Sequence, residues 1–394
     1  MTTKRNVRVS VEGAMRWDAA VHKAVHESLP YYAPGFLNAV FDGSGVSISF
    51  DGDAYTDEEI VANISSLIRR TASGFRDTQE QLLFSGTASP RLTKDDPYEQ
   101  LCASGAVTPT GYGKFVFAKE FVTLFEAVDA KLKDYCLSVG AFTELYPTTV
   151  EAGSLLASGF LGHSPHLAYF AAPARLDHKL LPAFGDTDAW AQADGSHLVE
   201  SLGSPDHVLA PTVCYHCFEA RKGRQIGTER ITALNKCHRH EAVGVSGLER
   251  TTTFWMRELI AFDTQDRVTE MLEDAVNWTA SLLNEWGAAF DVSSASDPFF
   301  ADLGASNRIF QTVFALKREL RMPVFSGRRI AVASFNNHQQ SLVQKFDVKG
   351  AEQPNTPSSG CVGWGFERLL YSLFCQFGVD LSLWPSPAKR SLNI

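Results

Sequence analysis

The chain has no basic surplus: its 394 residues carry 36 Lys+Arg against 45 Asp+Glu, a net charge of −9. Because a broad nucleic-acid footprint normally needs a basic face, a bulky polyanion is not the favoured partner. Long apolar runs are missing too. Lys119 and Glu120 interrupt even the best stretch, near Phe115, so no membrane-spanning helix is expected. Cysteine is sparse and odd in number, with seven residues at 102, 136, 214, 217, 237, 361 and 375. Such scatter excludes a disulfide framework and suits packing or metal binding in a reducing compartment. The opening residues, Met1-Thr2-Thr3-Lys4-Arg5, offer no apolar core of a secretory signal. No sustained heptads precede residue 100, and no repeat or low-complexity tract is evident. With 44% apolar and 21% charged residues, the chain is neither disordered nor fibrous. The expectation is a globular, cytoplasmic protein.

At roughly 150 residues per domain the length allows two or three units. Residues 7–11 alternate apolar and polar, 15–29 have helical spacing, and 36–41 and 46–50 flank the turn Asp42-Gly43-Ser44-Gly45. Asp57-Glu58-Glu59 then opens a helix through residue 68. This order predicts a small α+β domain over residues 1–85, followed by a linker at 85–97 rich in Gly, Ser, Pro and Asp. Residues 86–394 form the second unit. Its long helix at 115–137, short strand at 141–146, extended runs at 231–241, 252–262 and 329–335, and helices at 265–286 and after Gly365 predict an α+β domain around an antiparallel sheet.

Two constellations carry chemistry. In Cys237-His238-Arg239-His240-Glu241 and Phe254-Trp255-Met256-Arg257-Glu258, strand alternation puts Arg239 with Glu241, and Phe254 and Met256 with Glu258. A guanidinium, a ring and carboxylates so gathered can clamp a nucleotide, although a solvated hairpin with cross-strand ion pairs has the same composition. In Gly363-Trp364-Gly365-Phe366-Glu367-Arg368, an arginine in the first helical turn opposes the helix dipole and points to an anion. Cys214-Tyr215-His216-Cys217, followed by Cys237, His238 and His240, also has the spacing of a structural zinc site.

Together these segments resemble motifs 2 and 3 of class II aminoacyl-tRNA synthetases, and residues 111–115 with the following helix resemble motif 1. Ser158 through His166, Pro211 through His216, Ala333 through His338 and Cys361 through Arg368 resemble the amino acid:[carrier protein] ligases. These are seryl-synthetase homologues without a tRNA-binding arm, and the resemblance spans roughly residues 95 to 390. It implies a class II synthetase-type domain that uses ATP, Mg2+ and Zn2+. Arg239 would hold the α-phosphate and substrate carboxylate, and Glu241 the adenine amino group. Phe254 would stack on the base, Arg250 would approach the phosphates and Arg368 would grip the γ-phosphate. Cys214, Glu258 and Cys361 would hold zinc with a fourth position open to an α-amine.

The implied activity is adenylation of a small amino acid (glycine, alanine or serine) and transfer to the phosphopantetheine thiol of a carrier protein by a homodimer. The rival readings are an adenylating ligase with another acceptor, such as an amine, a peptide or tRNA, and a paralogue that binds amino acid and ATP without turnover. Charge balance and the missing arm disfavour tRNA. Gly360 and Trp364 depart from the family pattern, which predicts a reshaped amino-acid pocket.

Overall fold

The computed structural model describes residues 4–10, 19–33, 35–42, 44–52, 54–74, 81–188, 196–241, 245–295, 316–351 and 357–394. The N-terminal elements follow the expected order: β1 (Lys4–Ser10), α1 (Ala19–Tyr32), β2 (Phe36–Asp42), β3 (Gly45–Asp51) and α2 (Asp57–Gly74). The three strands pair antiparallel in the order β1-β3-β2. Alternation sends Val7, Val9, Val46, Ile48 and Phe50 into a core shared with Val25 and Leu29 of α1 and Ile60, Ile64 and Leu67 of α2. A reciprocal cap starts α2: Thr56 N donates to Glu59 Oε2 at 2.8 Å, and Glu59 N donates to Thr56 Oγ1 at 3.2 Å.

The remaining elements used below are β4 (Leu82–Ser85), α3 (Pro97–Ser104), β5 (Val107–Gly111), β6 (Lys114–Phe117), α4 (Lys119–Ser138), β7 (Phe142–Thr143), α5 (Ala152–Ser158), α6 (Cys214–Arg221), β8 (Glu229–His238), β9 (Thr253–Asp263), α7 (Gln265–Trp286), β10 (Asp291–Ser294), β11 (Lys317–Pro323), β12 (Arg329–Gln339), β13 (Ser358–Gly365) and α8 (Phe366–Phe377). Eight strands make one sheet, in the order β4-β10-β11-β12-β13-β9-β8-β7, antiparallel except for the β8–β7 pair. Helices α4, α7 and α8 cover one face of it and α6 lies on the other. Leu259 and Ala261 of β9 enter the first core, while Ile260 and Phe262 meet Cys217 and Phe218 in the second. The α+β architecture around a largely antiparallel sheet expected from the sequence is the one observed.

Three local expectations change. Leu82–Ser85, the end of the expected first unit, pairs with β10 in the large sheet. The expected linker is bound to that second unit: Gly86 N donates to Phe290 O, and Thr93 N to Cys375 O, both at 2.9 Å. The long helix begins at Lys119 rather than 115, because residues 114–117 pair with β5 as a hairpin and Ala118 is extended (φ −151°, ψ 178°). The phenylalanines at 115 and 117 fit a helical stripe and a strand face equally well, so spacing could not separate the two.

Candidate active site

A cavity of about 580 Å³ lies on the α6 face of the sheet. All eight residues singled out in the sequence line it: Arg239, Glu241, Arg250, Phe254, Arg368, Cys214, Glu258 and Cys361. Strand pleat explains the convergence. Phe254, Met256 and Glu258 point inward from β9, and Cys361 and Gly363 from β13, with Glu258 opposite Gly363. Strand β8 ends at His238, earlier than expected. Arg239 and Glu241 lie just beyond it, with Arg239 N still donating to Thr252 O at 2.9 Å.

One half of the cavity is rich in cations. Arg239 Nε donates to Pro211 O at 3.0 Å, and its guanidinium carbon sits 5.2 Å from the Phe254 ring centroid. Arg250 pairs with Glu241 through Nε, 2.8 Å from Oε2. Arg368 Nε donates to Glu249 O at 2.7 Å, and the Glu249 carboxylate is in turn paired with Arg328. Burial, then the neighbouring Arg239, press the Arg368 pKa downward; Glu241 opposes this and Arg250 adds to it. An anion placed here would relieve that crowding. Glu367 lines the same half, where both its oxygens accept from Trp255 N (3.1 and 2.9 Å) and burial pushes its carboxyl up to about 8.

The other half is acidic and buried. One ligand atom each from Cys214, Glu258 and Cys361 lies within 4.8 Å of the others. Glu258 Oε1 accepts from Thr212 Oγ1 (2.5 Å) and Val213 N (3.1 Å), whereas its buried Oε2 has no partner. A bond from Cys361, burial and the Glu258 charge hold the Cys214 thiol well above its ordinary range, even though Cys214 opens a helix, a position that usually lowers it. Burial pushes the Glu258 carboxyl up as well, and two thiols beside a carboxylate with an orphan buried oxygen are a donor set suited to zinc.

The alternative zinc constellation is not assembled. Cys217 packs in the second core with its sulfur 3.4 Å from Arg221, and Cys237 lies in a small cluster with Val213 and Ala233. His216 stacks on Tyr146, His238 meets Thr253 Oγ1 at 3.2 Å, and His240 meets the Tyr169 ring edge-on. Among the described residues, Cys214, Glu258 and Cys361 form the one such group. The reshaping expected from Gly360 and Trp364 is likewise absent, because both face α7. The Trp364 Nε1 donates to Thr279 Oγ1 at 3.2 Å, and a Cβ at Gly360 would meet Val268. Their even numbers put them on the core face of β13.

Sequence reasoning missed Glu319 and Lys345 on the cavity wall. Glu319 is buried, which raises its pKa, but Lys317 (3.3 Å) and Arg321 (2.8 Å) outweigh that and lower it. The alternate charges of Lys317, Glu319 and Arg321 on one strand were the available signal.

Residues 198–376 match the family described as tRNA synthetase class II core domain (G, H, P, S and T). The chain is 28% identical over 254 residues to amino acid–[acyl-carrier-protein] ligase 1 of Bradyrhizobium diazoefficiens, covering 63% of this chain and 76% of that protein. Its fold is similar to that of M. kandleri SerRS, solved with A. aeolicus tRNASec (TM-score 0.70, 20% identity, covering 92% of this chain and 74% of that one). Similar too is the seryl-tRNA synthetase of Pyrococcus horikoshii complexed with ATP (TM-score 0.59, 12% identity, covering 86% and 81%). By motif, fold and likeness alike, residues 198–376 are similar to a class II tRNA synthetase core, and the fold is similar to that of seryl-tRNA synthetases.

Proposed function

We propose that the protein is an adenylate-forming ligase that activates a small amino acid with ATP and passes it to the phosphopantetheine thiol of a carrier protein. The observation that carries this reading is one cavity lined by both an arginine-rich half and a thiol–carboxylate half. ATP, entering with Mg2+ on its phosphates, suits the first half. Arg239 would hold the α-phosphate and the substrate carboxylate, and Phe254 would stack on adenine beside Glu241. Arg250 would approach the phosphates and Arg368 the γ-phosphate. Cys214, Glu258 and Cys361 would hold zinc, which when bound supplies a Lewis-acid site for the substrate's α-amine.

In the first step a carboxylate oxygen of the amino acid attacks the α-phosphorus and pyrophosphate leaves. In the second, the thiol sulfur bonds the acyl carbon, the bond to AMP breaks, and the thiol proton passes to water. Both steps need charge stabilisation and in-line placement rather than a protein nucleophile. Glycine, alanine or serine follows from the family resemblance, and Gly363, Met256 and Ser334 line the cavity beside Glu258. A Cβ at Gly363 would lie 3.1 Å from Met256 Sδ and 3.5 Å from Ser334 Oγ.

The test is amino-acid-dependent exchange of labelled pyrophosphate into ATP, run across the protein amino acids. Activity with a small amino acid supports the reading, and a large aromatic as sole substrate refutes the pocket assignment. No exchange alongside tight binding of ATP and amino acid would favour the non-catalytic paralogue. The motif 1 likeness further supports a homodimer. Since Phe121, Leu124, Val128 and Leu132 of α4 are spent on the protein's own core, the partner surface would include exposed Leu137, Phe142 and Leu145. Sedimentation at micromolar concentration checks it, and a monomer there counts against the placement.

A further inference from the structure

The stretch from Ser158 to Leu167 runs along one wall of the active-site cavity, where Gly159, Phe160, His163 and Ser164 also line it. Its two ends are tied to opposite halves. Near the start, Lys345 Nζ donates to Ser158 O at 2.7 Å. The Phe160 ring there meets Tyr215, the neighbour of Cys214, edge-on with centroids 6.0 Å apart. At the far end His240 N, between Arg239 and Glu241 in sequence, donates to Leu167 O at 2.9 Å. His163 lies between these ties. With an α-amine at the thiol–carboxylate cluster and a phosphate at Arg239, the acyl carbon of an adenylate falls between the same two halves.

The imidazole of His163 is held in one orientation. Its Nδ1 lies 2.6 Å from Gly159 O, which also accepts from His163 N at 3.0 Å. Gly159 has φ 89°, and a Cβ there would come 3.2 Å from both Nδ1 and Cε1 of the ring, so the ring packs against bare backbone. A carbonyl only accepts, which assigns the hydrogen to Nδ1 and the lone pair of the neutral ring to Nε2. The cavity's carboxylates have other tasks. Glu241 holds Arg250, Glu319 holds Lys317 and Arg321, Glu258 belongs to the thiol cluster, and Glu367 accepts from Trp255 N. The other imidazole lining the cavity, His338, has Nε2 3.5 Å from Cys361 Sγ and Nδ1 3.2 Å from Ser359 Oγ. Lys345, as an ammonium, has donors and no lone pair.

We propose that His163 is the general base of the second half-reaction. An ordinary thiol is mostly protonated near neutral pH, and only its thiolate is a good nucleophile. Nε2 of His163 takes the S–H proton as the sulfur electron pair bonds the acyl carbon. The bond from that carbon to the phosphate oxygen breaks, its electron pair leaves with AMP, and the ring then hands the proton to water. Gly159 O sets the tautomer, as a hydrogen-bond acceptor on the far nitrogen does for other catalytic imidazoles. The inference rests on the ligase reading above and adds the group that activates the acceptor.

The test separates the two half-reactions in the full chain, His163→Asn and His163→Ala. Pyrophosphate exchange reports the first and the fold, and aminoacyl transfer to free pantetheine and to a phosphopantetheinylated acyl carrier protein reports the second. The asparagine amide can still donate to Gly159 O but has no basic lone pair, whereas alanine leaves space for added imidazole. The expected result is a fall of about a hundredfold in transfer in both variants with exchange unchanged, a typical general-base contribution. Added imidazole should restore transfer in His163→Ala. Transfer unchanged in both variants overturns the base and leaves the ligase reading intact. Transfer kept by asparagine and lost by alanine, or a loss that imidazole leaves untouched, makes the ring a strut for the wall and also overturns the base. Exchange falling in step with transfer overturns it too, and moves His163 to the adenylation step or to the fold. Exchange by the unaltered protein with no transfer to either thiol overturns the acceptor reading, and the base with it.

Discussion

The two halves of the active-site cavity solve opposite electrostatic problems. On the arginine-rich side, each of the three arginines already has a partner: Arg239 has Pro211 O and the Phe254 ring, Arg250 has Glu241, and Arg368 has Glu249 O. On the thiol side, three acidic groups face one another, and one buried carboxylate oxygen has no partner. The arginines are thus held by protein contacts, whereas the buried acidic cluster is faced by His338, whose Nε2 lies 3.5 Å from Cys361 Sγ, and keeps an orphan carboxylate oxygen.

The largest expected effect breaks the acidic half. Cys361→Ser should lose bound zinc and activity together, while Cys217→Ser keeps both, as zinc analysis of the purified proteins would show. Metal kept in the first variant and lost in the second would move the site to the C-x-x-C pair. A satisfied buried pair sharpens the contrast. Arg257, next to Glu258 but on the core face of β9, binds Asp129 through Nε–Oδ1 at 2.6 Å and Nη2–Oδ2 at 2.8 Å, tying α4 to the sheet. Asp129→Ala strands that guanidinium and should cost about 3–5 kcal/mol by denaturant unfolding, with no change in zinc content.

Smaller effects belong to the arginine-rich half. Arg368→Ala should cost about 1.5–3 kcal/mol of the adenylation barrier with the fold intact, read from exchange kinetics and circular dichroism. An unfolded variant would make Arg368 structural. Glu367 gives the gentlest signal. Its carboxyl titrates at about 8 in the fold against 4.5 as a free side chain, so the native state holds the extra proton between those values. Stability should therefore fall as pH rises through that window, by at most about 1.4 kcal/mol per pH unit. Glu367→Gln should flatten the slope in urea titrations; an unaltered slope would assign it to other groups.

What could be read from the sequence follows how local each cause is. Helix α7 matches its expected bounds because both ends are encoded nearby: Thr264 Oγ1 accepts from Arg267 N, and Gly287 closes the helix at φ 77°. The α4 start was misjudged because a tertiary choice, pairing with β5, settled it. The thiol–carboxylate cluster draws on α6, β9 and β13, and only likeness to a family could join positions so far apart. Trp364 was misjudged for want of the strand's phase.

That phase has a consequence of its own. Along β13, Cys361 and Gly363 line the cavity, while Val362 and Trp364 belong to the packing beneath. Tolerance to change should therefore run in stripes. Cavity positions can drift with a new substrate while alternate positions stay fixed, so specificity can evolve without renegotiating the fold. Inserting a single residue there would exchange the two roles at once.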